Sequence, residues 1–263
     1  MTIIYGPVAS WRLGRSLGID MLGGGEKRCP FDCIYCQLGR TGQLETTRGS
    51  FIDLGKLEME MKFLGEKASY NVVTFSGTGE PTLSRDIAEA NRMVKGIGRA
   101  PTAVLTNSAL FPDEGVREDL AGFDMVVAKL DAPSQGLLGT VNRPAKGVEL
   151  EHIIRGLKKF REAYRGTFAL QMMFMEQNLH HAEKMGELAR EILPDEVHLN
   201  TPLRPCAVCA LDRQELCKLL RHFGDLNVLM AYDFIGKVPE AEPLDAAETL
   251  LRRPAEGRRR TTP

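Results

Sequence analysis

Cys29, Cys33 and Cys36 stand in the run Cys-Pro-Phe-Asp-Cys-Ile-Tyr-Cys, with the spacing C-x3-C-x2-C. Cysteine thiolates are the usual protein ligands of iron–sulfur clusters, and a four-iron cube has four corners to fill. Three thiolates on one short loop hold three irons and leave the fourth open to a small molecule. That open iron is where chemistry would happen.

Two other chemistries use cysteines at short spacing. A structural zinc site takes four ligands, usually completed by a second C-x2-C or H-x3-5-H pair, and nothing of that kind lies near residues 29–36. A redox dithiol would use Cys33-Ile-Tyr-Cys36 and leave Cys29 without a role. The remaining cysteines, Cys206, Cys209 and Cys217, form C-x2-C-x7-C and could hold an auxiliary cluster. Cys217, however, falls in the helical apolar pattern of Leu216, Leu219, Leu220 and Phe223, where a cysteine acts as a small hydrophobe, so these three are not assigned as ligands.

The elements that position such a loop follow from periodicity. A chain of 263 residues, 43% of them hydrophobic, can bury the core of one large domain. Short β-like runs at 16–22, 71–76, 102–106, 125–130, 168–174, 196–200 and 228–232 alternate with helical patterns at 54–67, 85–96, 149–165, 182–193 and 213–223. Ser84 and Asp212 precede two of these as N-caps. Repeated β-α units imply a parallel sheet with right-handed crossovers, open or curled into a barrel. Function in barrels sits at the C-terminal ends of the strands, and the cysteine loop follows the first strand of the pattern.

Other strand ends carry polar residues. After the second strand comes Ser76-Gly77-Thr-Gly79-Glu80-Pro81-Thr82, where two glycines let the backbone approach a ligand and Glu80 can accept from a cation. Thr106-Asn107-Ser108 follows the third strand, and Lys129-Leu-Asp131 the fourth; Asp131 is the preferred hydrogen-bonding group within the cavity. The fifth carries Gln171 in an apolar run, and the sixth ends in Asn200-Thr-Pro-Leu-Arg204, where an arginine can hold a carboxylate or phosphate through two parallel hydrogen bonds.

The cysteine loop with Tyr35 before its last cysteine, the N-terminal run 5–18, the Gly77-Thr-Gly79-Glu80 turn and Asn200-Thr-Pro-Leu-Arg-Pro205 together resemble the radical S-adenosylmethionine (SAM) superfamily, in the branch related to wyosine synthase-like tRNA-modifying enzymes. The resemblance implies an α/β fold with a partial (β/α)6 TIM-like barrel. It implies a 4Fe-4S cluster on Cys29, Cys33 and Cys36, with the amine and carboxylate of SAM on the open iron. It places Tyr35, Gly77, Gly79, Glu80, Asn107 and Asp131 around SAM, with the Gly-Thr-Gly-Glu turn at its amino group. Reductive cleavage would yield a 5′-deoxyadenosyl radical, with an electron donor such as flavodoxin or ferredoxin and a substrate that includes tRNA among its candidates. The wyosine enzymes carry a second cluster and a catalytic lysine in a segment with no visible counterpart here, which implies a different reaction. A peptide-modifying enzyme with an auxiliary cluster and a non-catalytic iron–sulfur protein are the alternatives.

A formal net charge of -1 shows no global basic footprint, so an argument for nucleic acid has to be local. The reading expects a core over 1–245 and an Arg-rich tail over 246–263, with Arg252, Arg253, Arg258, Arg259 and Arg260, solvated or touching RNA phosphates. No apolar leader and no run of about 18 apolar residues occur, which gives the expectation of a cytoplasmic protein with no membrane partner.

Overall fold

The computed structural model describes residues 1–64 and 68–254. It opens with β1 (Ile4–Ser10) and β2 (Gly14–Ile19), an antiparallel hairpin. Then follow α1 (Leu54–Leu64), β3 (Val72–Phe75), α2 (Ile87–Ile97), β4 (Thr102–Thr106), α3 (Glu114–Leu120) and β5 (Met125–Lys129). Next come α4 (Gln135–Val141), α5 (Leu150–Ala163), β6 (Thr167–Met173), α6 (Ala182–Ile192) and β7 (Glu196–Asn200). The chain continues through α7 (Arg213–Leu219), β8 (Val228–Met230) and α8 (Ala246–Arg252). Among the described residues the strands form one eight-stranded sheet in sequence order, parallel from β2 onward.

Alternation along the strands decides which side faces what. Leu17, Ile19, Val73, Phe75, Leu170 and Val197 lie in the main core under the helices. The alternate residues Ser16, Thr74, Lys129, Gln171, His198 and Asn200 lie outside that cluster, on the concave face. The helices supply the matching apolar stripes: α5 buries Leu150, Ile153, Leu157 and Phe160, at steps of three and four residues. The sheet curls, because Trp11 at the tip of the first hairpin reaches His198 on β7, with ring centroids 5.5 Å apart. The edge strands β1 and β8 do not pair, so the architecture is a partial TIM-like barrel with a polar lumen.

All seven strands expected from the sequence form; those at 102–106 and 196–200 keep their bounds and the other five end earlier or shift by a few residues. The hairpin strand β1 and the short helices α3, α4 and α8 add to the expected set. Asp212 caps α7 through a reciprocal capping box with Glu215. Ser84 does not cap α2: it ends a 3-10 turn at Pro81–Leu83, and the helix starts only after Asp86, whose N–H donates to Ser84 Oγ at 3.3 Å. The tail expected from residue 246 is corrected as far as Arg252, since α8 packs on β1 and the Arg252 side chain is fully buried. Its guanidinium meets Asp20 at 3.1 Å, Glu248, and the Thr2 carbonyl at 2.6 Å, and these partners order a segment whose composition alone would not. Arg258, Arg259 and Arg260 lie outside the described residues. Among the described residues no helix is long and apolar enough to cross a membrane.

Candidate active site

The cysteine loop leaves the C-terminal end of β2 and is held between two neighbours. On one side Arg28 pairs with the glycine turn: its N–H donates to Thr78 O at 3.2 Å and its carbonyl accepts from Glu80 N at 2.9 Å. A Cβ on Gly79 would fall onto the Arg28 carbonyl and one on Gly77 onto the Asp20 carboxyl, so both positions need glycine for close approach. On the other side the loop meets the end of α4, with Asp32 N donating to Asn142 O at 2.9 Å and Ile34 N to Val141 O at 3.0 Å. Asp32 Oδ1 also accepts from Thr41 N at 2.8 Å, which closes the loop on itself.

Two side-chain amides reach the sulfurs. Asn107 Nδ2 lies 3.2 Å from Cys29 Sγ, and Asn142 Nδ2 lies 3.3 Å from Cys33 Sγ. The Phe31 N–H adds a third donor to Cys29 Sγ at 3.4 Å. Burial pushes both thiols up, and the neighbouring Cys33 adds to the rise at Cys29. A buried thiolate therefore needs a cation beside it, while N–H donors aimed at sulfur suit the charged form. Among the described residues no three His, Cys, Asp or Glu side chains converge as ligands of one metal ion. A cube makes no such demand, because each cysteine takes a different iron. The donor set thus fits three corners of a 4Fe-4S cluster, which Cys29, Cys33 and Cys36 would hold.

Around the loop the buried carboxylates are fully used. Glu80 accepts from Thr82 Oγ1 at 2.7 Å, Thr106 Oγ1 at 2.7 Å, Asn107 N at 2.7 Å and Thr82 N at 3.1 Å. Burial raises its pKa against the pull of these donors. Asp131 accepts from the Tyr35 hydroxyl, from Asn142 Nδ2 at 3.0 Å and from Met173 N at 2.8 Å, with Lys129 Nζ at 3.7 Å. Lys129 Nζ donates to the Tyr35 hydroxyl at 2.7 Å and sits 4.1 Å from its ring centroid.

The sequence-predicted residues therefore come together, but in divided roles. Tyr35, Glu80, Asn107 and Asp131 bond to one another's neighbours and to the cysteine loop, while Gly77 and Gly79 line its approach. Asn142 was missed: it sits at the C-cap of α4 in Val-Asn-Arg-Pro, where only Pro144 marks a helix end. The second cysteine group separates: Cys206 packs with Ile34, Tyr35 and Met175, Cys209 is exposed, and Cys217 is in α7 with its Sγ 3.9 Å from Met230 Sδ. A hollow of about 620 Å³ opens at the opposite end of the sheet beside Asp124 and Asp195, carboxylates already paired with Lys95 and Arg161.

Comparison with known proteins agrees with this geometry. The model of the "Radical SAM superfamily" matches residues 27–189, which include the cysteine loop, the glycine turn, Asn107, Asp131 and Asn142. A UPF0026 protein of Synechocystis sp. is 40% identical over 205 residues, covering 77% of this chain and 76% of the relative. The fold resembles Streptococcus suis SuiB bound to S-adenosylmethionine, with TM-score 0.61 at 17% identity over 80% of this chain; the chain spans 49% of that protein. It also resembles archaeal TYW1, with TM-score 0.51 at 17% identity over 81% of this chain and 72% of that one. The lumen, the three-cysteine loop and the family match lead to one conclusion: the chain belongs to the radical SAM superfamily and is an enzyme of that class.

Proposed function

We propose that the protein cleaves SAM at a 4Fe-4S cluster on Cys29, Cys33 and Cys36 and directs the resulting radical at a substrate in the lumen. The observation that carries this reading is the pair of amide donors, Asn107 and Asn142, trained on the sulfurs of two of the three cysteines. When bound, the cluster supplies the electron that breaks the sulfonium bond of SAM to give a 5′-deoxyadenosyl radical. The protein's own residues orient and shield. Glu80 fixes the Asn107 backbone and Thr106, and so aims the Asn107 amide at Cys29. Asp131 does the same for Asn142 and Cys33, with Tyr35 locked between Asp131 and Lys129. Gly77 and Gly79 present backbone to the ammonium of SAM, and Glu80 acts through position rather than contact. The lumen walls exclude water from a reactive carbon radical.

Within this reading the core over 1–245, extended by α8, works in the cytoplasm with a reduced carrier such as flavodoxin or ferredoxin. RNA is the substrate class we infer, because Arg12 and Arg253 keep buried guanidinium nitrogens that no described residue satisfies. The separation of Cys217 from Cys206 speaks against the peptide-modifying alternative with an auxiliary cluster.

Anaerobic reconstitution followed by electron paramagnetic resonance of the reduced protein, with and without SAM, tests the reading together with chromatography for 5′-deoxyadenosine. A SAM-shifted signal and deoxyadenosine, both lost in Cys33→Ala, are expected. A cluster indifferent to SAM would return the loop to structural metal binding.

A further inference from the structure

Arg12, Arg204 and Arg253 have no acidic ion-pair partner among the described residues; Arg12 and Arg253 are half-buried and Arg204 is exposed. Arg12 sits at the tip of the first hairpin, its guanidinium carbon 4.6 Å from the centroid of Trp11, which itself packs on His198 and Phe234. Arg204 follows β7 on the loop whose Cys206 packs with Ile34 and Tyr35 of the cluster loop. Arg253 follows α8, which Gln37, next to Cys36, ties to the cluster loop by donating to Arg252 O at 3.1 Å.

Nε and Nη1 of Arg12 and Nε of Arg253 are buried with no hydrogen-bond partner among the described residues. The adjacent Arg252, by contrast, has Asp20 and Glu248. We infer that Arg12, Arg204 and Arg253 form a seat for a phosphate group of the substrate, bordering the cluster loop. Burial first, then Arg253 and Arg204, pull Arg12 down to about 9; burial and Arg253 bring Arg204 down to about 10. Arg12 is thus within electrostatic reach of both other guanidiniums, and Arg204 of Arg253. Leaving buried charge unmatched is unfavourable, and an anion relieves it. Guanidinium forks match phosphate geometry, and a phosphate brings up to two negative charges and three acceptor oxygens where a carboxylate brings one charge and two oxygens. No described carboxylate competes, since Asp20 and Asp131 are taken by Arg252 and Lys129.

The inference rests on the lumen being the substrate chamber of the proposed reaction, but its test does not need the reaction. Trp11 is the single tryptophan of the chain, so intrinsic fluorescence reports on the seat directly. Full-length protein would be titrated with inorganic phosphate, adenosine monophosphate, a short single-stranded RNA and, as carboxylate control, acetate. Saturable changes with the phosphate compounds and not with acetate are expected, with affinity weakened at least roughly tenfold in Arg12→Met and Arg204→Met. Arg155→Met, on the exposed face of α5 with only Glu151 as ion-pair partner, should titrate as the wild type. Phosphate should also raise the melting temperature of the wild type and do so less in Arg12→Met. Preference for RNA identifies a polymeric substrate and preference for the nucleotide a small one; either upholds the seat. No saturable response, equal weakening in Arg155→Met, or displacement of phosphate by SAM overturns it. Cys33→Ala, which removes a cluster ligand, should bind phosphate unchanged, so failure of the seat and failure of the radical reading are told apart.

Discussion

On the cluster side of the lumen each buried carboxylate is saturated: Glu80 has Thr82, Thr106 and Asn107, and Asp131 has Tyr35, Asn142 and the Met173 backbone. By contrast, among the described residues Arg12 and Arg253 keep buried nitrogens without partners, and so does Nδ1 of His198. The first arrangement holds its groups in place before any ligand arrives, so nothing has to reorganise when one binds. The second is incomplete as the protein stands and is completed from outside. A site for a resident cofactor and a site for a visiting substrate are expected to differ in this way.

Substitutions on the two sides should move stability in opposite directions, and the largest effect belongs to Asp131. Asp131→Ala takes the acceptor from the Tyr35 hydroxyl and the Met173 N–H and one of its acceptors from the Asn142 amide, in a buried network. A loss of about 3 kcal/mol is expected in urea denaturation. A loss no larger than that of an exposed substitution would break the contrast. Gly79→Ala comes next: its Cβ collides with the Arg28 carbonyl, and about 2 kcal/mol should be lost together with iron content after reconstitution. Normal iron loading in this variant would show that the Arg28–Gly79 pairing does not position the loop.

Arg12→Met removes an unpartnered charge, so unfolding stability measured in urea in phosphate-free buffer should stay level or rise by about 1 kcal/mol. A clear fall would mean that Arg12 has a structural partner. The smallest effect is pH-dependent. Burial lowers the His198 pKa, the Glu196 hydrogen bond opposes this, and Arg12 adds to the lowering. The unfolded chain, with a histidine pKa of about 6.5, then takes up a proton before the folded one as pH falls. His198 thus contributes a loss of stability on acidification from about pH 6.5 down to its lower folded value, with a slope of at most about 1.4 kcal/mol per unit. Comparing urea midpoints at neutral and mildly acidic pH checks this; His198→Gln should flatten the dependence, and an unchanged slope would assign it elsewhere.

The repeated β-α pattern was legible because each parallel strand is a short apolar run and each outer helix carries a clear stripe, as in α5 with Leu150, Ile153, Leu157 and Phe160. The cysteine loop was legible from spacing alone. What escaped was set by tertiary contact. Strand β1 begins as Ile-Tyr-Gly-Pro, a poor strand on propensity, and forms because β2 pairs with it. Asn142 carries no local mark and gains its role only when α4 ends beside Cys33. Glu80 was legible as a carboxylate at a strand end, but its surroundings were not: four donors from three residues surround it, and only the fold brings Thr106 and Asn107 to it. Helix α8 was hidden because an arginine-rich composition reads as solvated until Asp20 supplies a buried partner.

Helix α8 also imposes an order of events. Gln37 in the cluster loop and the Arg252 carbonyl it bonds are 215 positions apart, and the chain emerges from its N-terminal end during synthesis. The cysteines are thus made long before the segment that backs them, and for most of translation the loop stands uncovered on that side. On the proposed reading, a cluster delivered to the nascent or newly released chain would meet the loop before α8 packs against Asp20.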